Sequence, residues 1–170
     1  MVAPSPSRIA MDHHMLTTRS VTPGDLGLIC RHREQMFRDM GRPDEPIEAM
    51  IEPFRAWLEK RLSDGTYFGF ITEEAGRPVG GIGMFIVEWP PGMAHPTDDR
   101  RGYILDVYVE PGHRGRGVAK NLMHEAELSF RRQGVNYVFL HASDAGRPLY
   151  ESLGFAPTTE MAITLPAWDA

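Results

Sequence analysis

The run GYILDVYVEPGHRGRGVAKNLMHEAELSFRRQG, residues 102–134, changes its hydrophobic period halfway along, and the rest of the chain can be read around that change. Residues 103–109 are β-branched, aromatic and apolar, which predicts a strand. From Val118 onward the positions Val118, Leu122, Glu125/Ala126 and Leu128/Ser129 recur at three-to-four spacing, which predicts a helix. Between them stands Glu110-Pro111-Gly112-His113-Arg114-Gly115-Arg116-Gly117. A strand that turns through glycines into a helix leaves backbone N–H groups unpaired at the helix start, where the dipole adds about half a positive charge. Gly115 and Gly117 lack a Cβ, so a bulky anion can approach the main chain and positive φ costs little. Arg114 and Arg116 add charge beside them. The turn reads as an anion cradle, the alternative being a surface turn with solvated arginines. No Lys-Ser/Thr follows the glycines, so the P-loop is excluded. No Gly-x-Gly-x-x-Gly with its later acidic residue is present, so a dinucleotide fingerprint is excluded as well.

The pattern Arg114-x-x-Gly117-x-Ala119, preceded by a Val-Tyr-Val-Glu-Pro strand end, resembles the acyl-CoA loop of the GCN5-related N-acetyltransferase family. A second stretch, residues 140–155 (LHASDAGRPLYESLGF), is similar to that family's closing segment, a strand followed by a short helix ending in Leu-Tyr-x-x-x-Gly-Phe. The two patterns stand in the family's order and spacing, and the likeness covers residues from about 16 to 165, most closely in the second half.

One domain is expected, since a chain of 170 residues can bury about 70% of the surface its unfolded form exposes. Cys30 is the sole cysteine, which rules out an internal disulfide and a Cys-rich metal site, and its apolar helical setting reads as a small buried hydrophobe. A net charge of −5 argues against nucleic acid as partner, and an Arg-Gly nucleic-acid segment would need repeats and a basic surround. A basic loop on an acidic body points instead to one small anionic ligand. No apolar run reaches the length of about 20 residues a membrane helix needs, and no signal-like N-terminal pattern appears, so a cytoplasmic protein without membrane partners is expected.

Residues 1–15, with prolines, serines and the solvated pair His13-His14, read as a mobile tail, and residues 16–170 as the domain. A first strand at 17–21 precedes Thr22-Pro23-Gly24-Asp25, a helix start with Thr22 as N-cap and Asp25 in the capping-box place. A helix over 23–40 would bury Leu26, Ile29/Cys30, Met36/Phe37 and Met40. A second over 46–62 would bury Met50, Phe54, Trp57/Leu58 and Leu62. Strands follow at 66–72 and 79–87, joined by a Gly-containing hairpin, and Gly80, Gly81 and Gly83 in the second imply a bulge or close approach. Residues 90–101 read as a loop, 136–141 as a strand, 147–153 as a short helix and 161–165 as a last strand. This order gives an α/β (α+β) fold, a mixed sheet with helices on both faces.

The resemblance adds specific expectations. It implies the acyl-CoA N-acyltransferase fold, a mostly antiparallel sheet splayed between its fourth and fifth strands. The pantetheine arm of acetyl-CoA would lie in that gap against main-chain groups of Val107, Tyr108 and Val109, and the N–H groups of Arg114, Gly115, Arg116, Gly117, Val118 and Ala119 would hold the diphosphate. Tyr150 matches the family's thiolate-protonating tyrosine, or else is a helix residue with a wet hydroxyl. Ser143 stands where many members carry an asparagine that bonds pantetheine, and serine retains one such contact. The attacking amine must be neutral, and Asp106, Glu88 and His141 are the candidate bases. Asp106 reads equally well as a carboxylate paired with a neighbouring element. Strand alternation sets it opposite Leu105 and Val107 unless a bulge intervenes.

The implied activity is direct transfer of an acetyl group from acetyl-CoA to a primary amine, without metal. A small-molecule acceptor is favoured, with a protein N-terminus or lysine as the rival. A non-catalytic acyl-CoA-binding module is the alternative of another class. The family also implies a possible homodimer, with residues 161–165 as candidate interface.

Overall fold

Ala75 and Gly76 both take positive φ, +51° and +74°. Such two-residue turns match the twist of the strands they join and so set their register. They connect β2 (Phe68–Glu74) to β3 (Arg77–Glu88) in an antiparallel hairpin. β1 (Leu16–Ser20) pairs antiparallel with β2, and β4 (Arg100–Val109) pairs antiparallel with β3. β5 (Val138–Leu140) pairs parallel with β4, which gives the order β1-β2-β3-β4-β5 and the mixed, mostly antiparallel sheet that was expected. The computed structural model describes residues 15–93 and 95–165. The tail expected at 1–15, with His13 and His14, lies outside the described residues but for residue 15.

Helices cover both faces, and two adjacent glycines of β3 show it. A Cβ on Gly80 would stand 3.0 Å from Val118 in α3 (Val118–Arg132), whereas one on Gly81 would stand 3.3 Å from His32 in α1 (Leu26–Asp39). α1 begins after a single 3₁₀ turn, Pro23–Asp25, where the Asp25 carboxylate accepts from the Thr22 N–H at 2.8 Å and from Arg19 of β1. The expected helix start is therefore built, with Arg19 added to tie it to the sheet. Ile29 and Cys30 of α1 form a core with Phe54, Leu58 and Leu62 of α2 (Asp44–Asp64) and with Tyr67. On the other face α3 buries Val118, Leu122, Met123, Ala126 and Phe130.

Three expectations change. The buried stripe of α1 includes His32, while Met36 and Phe37 stay half-buried, because the His32 ring packs 5.0 Å from that of Tyr108. In α3, Met123 and Phe130 join the apolar face, and Gly102 leaves Phe130 its room, a Cβ there falling 2.6 Å from the ring. Residues 161–165 form no strand: Met161, Ile163 and Leu165 are exposed. Alternation there satisfies the β period, but a strand also needs a paired backbone.

The chain divides into two compact units, one through Leu140 and the other from His141. The second carries α4 (Arg147–Ser152). Among the described residues no helix is long and apolar enough to cross a membrane.

Candidate active site

β5 accompanies β4 only at Gly102, Tyr103 and Ile104, after which β4 runs on to Val109 with β3 on one side and, among the described residues, no strand on the other. That unaccompanied stretch holds Asp106, Val107, Tyr108 and Val109. The chain leaves it through an Glu110 N–H bonded to the Val79 carbonyl at 2.9 Å and a 3₁₀ turn, Pro111–His113. Gly115 and Gly117 then take φ of +72° and +82°, and Gly117 is the N-cap of α3. Any other residue type would strain the backbone there. The Arg114 N–H, expected in the cradle, instead closes the 3₁₀ turn on the Pro111 carbonyl at 3.4 Å, whereas among the described residues no carbonyl accepts from the N–H groups of Gly115, Arg116, Gly117, Val118 or Ala119. A Cβ on Gly115 or Gly117 would meet nothing within 4 Å, so the space beside these amides is open. A row of free N–H groups at the positive end of a helix is an anion site.

The basic side chains of this loop face carboxylates of the protein. Arg114 bonds the Val109 carbonyl at 2.9 Å and the Asp39 carboxylate. Arg116 donates to Glu74 at 2.6 Å, and His113 lies 2.9 Å from the other oxygen of the same carboxylate. Arg116 first, then His113, hold the Glu74 carboxyl at about 2. The cradle's positive potential therefore rests chiefly on main-chain amides.

Asp106 has φ of +54°, and the β3–β4 register shifts opposite it, between Gly81 and Gly83. The strand bulges there, and the bulge overrides simple alternation. Leu105 packs against the α1–α2 core, and Asp106 reaches the same side. Its carboxylate, 2% exposed, accepts from Arg33 of α1 at 2.5 Å and from the Tyr67 hydroxyl at a long 3.5 Å. Burial pushes this carboxyl up, and Arg33 opposes the shift. The guanidinium of Arg33 lies 4.3 Å from the Phe54 ring centroid and 5.1 Å from that of Phe37. Tyr67 reaches Asp106 because residue 83 is glycine, a Cβ there falling 2.0 Å from the Tyr67 oxygen. Of the other candidate bases, Glu88 ends β3 exposed and His141 is exposed in the second unit.

In the second unit the motif Leu-Tyr-x-x-x-Gly-Phe has a local physical meaning. Gly154 takes φ of +90°, the Phe155 N–H returns to the Tyr150 carbonyl at 3.0 Å and the Gly154 N–H to Glu151 at 3.0 Å. This is a Schellman cap closing α4, and it brings the Phe155 ring edge-on to Tyr150 at 6.0 Å. Burial pushes the Tyr150 phenol up. Ser143 accepts the Gly146 N–H at 3.1 Å, which leaves its own O–H to donate elsewhere.

The structure thus brings together residues 106–119 as one strand end and loop, and holds Ser143 and Tyr150 on the α4 unit. Arg33, Tyr67, Asp39 and Glu74 were not legible in the sequence, because they meet the site across 73, 39, 75 and 42 residues of chain and belong to no motif. Gly83 of β3 is the one local signal of Tyr67's approach.

Comparison with known proteins agrees with this geometry. The model of the Acetyltransferase (GNAT) family matches residues 32–155. A GCN5-related N-acetyltransferase from Ralstonia eutropha JMP134 superposes with a TM-score of 0.87 at 48% identity, covering 89% of this chain and 99% of that one. A predicted acetyltransferase with acetyl-CoA from Clostridium acetobutylicum gives a TM-score of 0.79 at 25% identity, covering 89% and 96%. A glucosamine 6-phosphate N-acetyltransferase of Trypanosoma brucei brucei is 41% identical over 54 residues, 32% of this chain and 37% of that protein. The chain thus spans little more than a third of the length of that curated relative. A free-amide turn from β4 into α3, a sheet opened beside it and a family match across both put the chain in the GNAT acetyltransferase family.

Proposed function

We propose that this protein transfers the acetyl group of acetyl-CoA directly to the primary amine of a small molecule. The observation that carries the reading is the row of unclaimed N–H groups from Gly115 to Ala119, in open space beside the unaccompanied edge of β4. The N–H groups of Gly115, Arg116, Gly117, Val118 and Ala119 would hold the diphosphate. Main-chain groups of Val107, Tyr108 and Val109 would hold the pantetheine amides, because the Tyr108 side chain is turned into the core. The O–H of Ser143 supplies one further donor. Bound acetyl-CoA supplies a thioester, an acyl group activated toward amines.

The chain's own residues manage the protons. Tyr150 donates to the sulfur as it leaves, and its upward-shifted phenol stays protonated at neutral pH. Deprotonating an alkyl amine at pH 7 costs about 4.6 kcal/mol, so a base lowers the barrier. Asp106 is assigned that role, because a buried carboxylate with a raised pKa takes a proton more readily than a surface one. A small acceptor is supported by the trypanosomal relative, named for glucosamine 6-phosphate. The net charge of −5 favours a cationic one.

Thiol release from acetyl-CoA with a panel of amines tests the reading. Tyr150→Phe is expected to lower kcat about a hundredfold, and Asp106→Asn to lower it with loss of the base-dependent limb of the pH profile. Undiminished turnover in either variant removes that residue from the mechanism. CoA binding without thiol release for any amine would make the protein a non-catalytic acyl-CoA module.

A further inference from the structure

Glu74 ends β2 at the tight turn into β3, far from the motif that forms the loop, yet it touches the loop twice. One carboxylate oxygen lies 2.9 Å from His113 Nε2, and the other accepts from Arg116 Nη2 at 2.6 Å. His113 closes the 3₁₀ turn that opens the loop, and Arg116 stands between the two positive-φ glycines that end it. One side chain, 19% exposed, therefore spans both halves of the cradle and fastens them to the β2–β3 hairpin. A glycine-rich loop loses much conformational entropy on ordering, and anchoring it beforehand removes that cost from ligand binding.

We infer that Glu74 is a positioning residue for the diphosphate loop, holding His113 and Arg116 so that the amides from Gly115 to Ala119 are set before the cofactor arrives. The inference rests on the cradle reading above. It also assigns Arg116 as a strut. Were Arg116 a direct phosphate ligand restrained by Glu74, removing the carboxylate would free the guanidinium and tighten binding.

Hydrogen–deuterium exchange of the ligand-free protein reads the loop directly. In Glu74→Ala the amides of His113 and Arg114, bonded to the Glu110 and Pro111 carbonyls within the loop's 3₁₀ turn, are expected to exchange about tenfold faster while those of β3 and β4 keep their protection. The Kd for CoA should rise about five- to tenfold, with the loss in turnover falling on the KM for acetyl-CoA rather than on kcat. Glu74→Gln, which still accepts a hydrogen bond but carries no charge, should fall between Glu74→Ala and the parent. Adding Arg116→Ala to Glu74→Ala should weaken binding little further, since the two share one contact. Unchanged exchange in the loop, or CoA held as tightly or more tightly by Glu74→Ala, overturns the inference. A parent protein that binds no CoA overturns the cofactor reading, while the exchange arm still decides whether Glu74 orders the loop.

Discussion

Gly117 carries φ of +82° with nothing within 4 Å of where a Cβ would stand, so the protein's own packing does not demand glycine there. Two demands remain, the left-handed backbone and the clear approach to the amides of α3. Gly117→Val meets neither, because a β-branched residue in that region is strained by about 1–2 kcal/mol or more and its methyl groups fill the approach. Arg116→Ala removes only one half of an exposed ion pair, a contact worth about 0–1 kcal/mol. In a calorimetric CoA titration Gly117→Val should therefore weaken binding at least about tenfold more than Arg116→Ala. Parental affinity in Gly117→Val would show that the diphosphate is not held at this turn. The same scale separates what local sequence can and cannot show. The glycines and Tyr150 stand in short patterns, and the Schellman cap explains why Gly154 and Phe155 follow Tyr150 at fixed spacing. Glu74 and Arg33 carry no such mark, since a carboxylate or guanidinium acquires its role from whichever partner folding brings to it.

β4 meets α1 through one buried ion pair, and the bulge at Asp106 makes it possible. Without the bulge, alternation would turn Asp106 away from the face that Leu105 occupies. Arg33 is 21% and Asp106 2% exposed, so removing the guanidinium leaves a desolvated carboxylate without a counter-charge. Arg33→Met should then destabilise the protein by about 3 kcal/mol in denaturant unfolding, and the double variant with Asp106→Asn should recover most of it. Equal losses in the single and double variants would show that Arg33 acts by packing on Phe37 and Phe54 rather than by charge. Gly83 belongs to the same construction, because it admits the Tyr67 ring that supplies the second contact to Asp106. The three glycines of β3 announce close approaches in the sequence, and only the fold names the neighbour at each: Val118 at Gly80, His32 at Gly81 and Tyr67 at Gly83.

At the scale of the whole molecule, the core on the α1 face contains a histidine. His32 is 2% exposed, and burial first, with Arg31 adding to it, pushes its pKa down to about 4. Glu110 lies 3.6 Å from Nε2, too far and too solvated to hold the charged form. A group whose folded pKa lies below its free value of about 6.5 binds more protons unfolded than folded. Its contribution is therefore complete above about pH 6.5 and is lost as pH falls toward 4. Thermal midpoints measured from pH 7 to 4.5 should decline, and His32→Gln should flatten that slope whatever its effect at neutral pH. An unchanged slope in the variant would assign acid sensitivity to other groups.

The alternation of strands, the β-to-α turn with its glycines, the helix starts and the motif around Tyr150 were all determined by the sequence itself, because each depends on residues within a few positions of one another. That is enough to place the chain in its fold and to locate the cradle. The tertiary structure decided the rest: the bulge that turns Asp106 onto Arg33, the burial of His32, the carboxylates that claim the loop's arginines, and the absence of a strand at residues 161–165. Each is a contact between segments distant in the chain, and its energy comes from desolvation and pairing that no local pattern encodes.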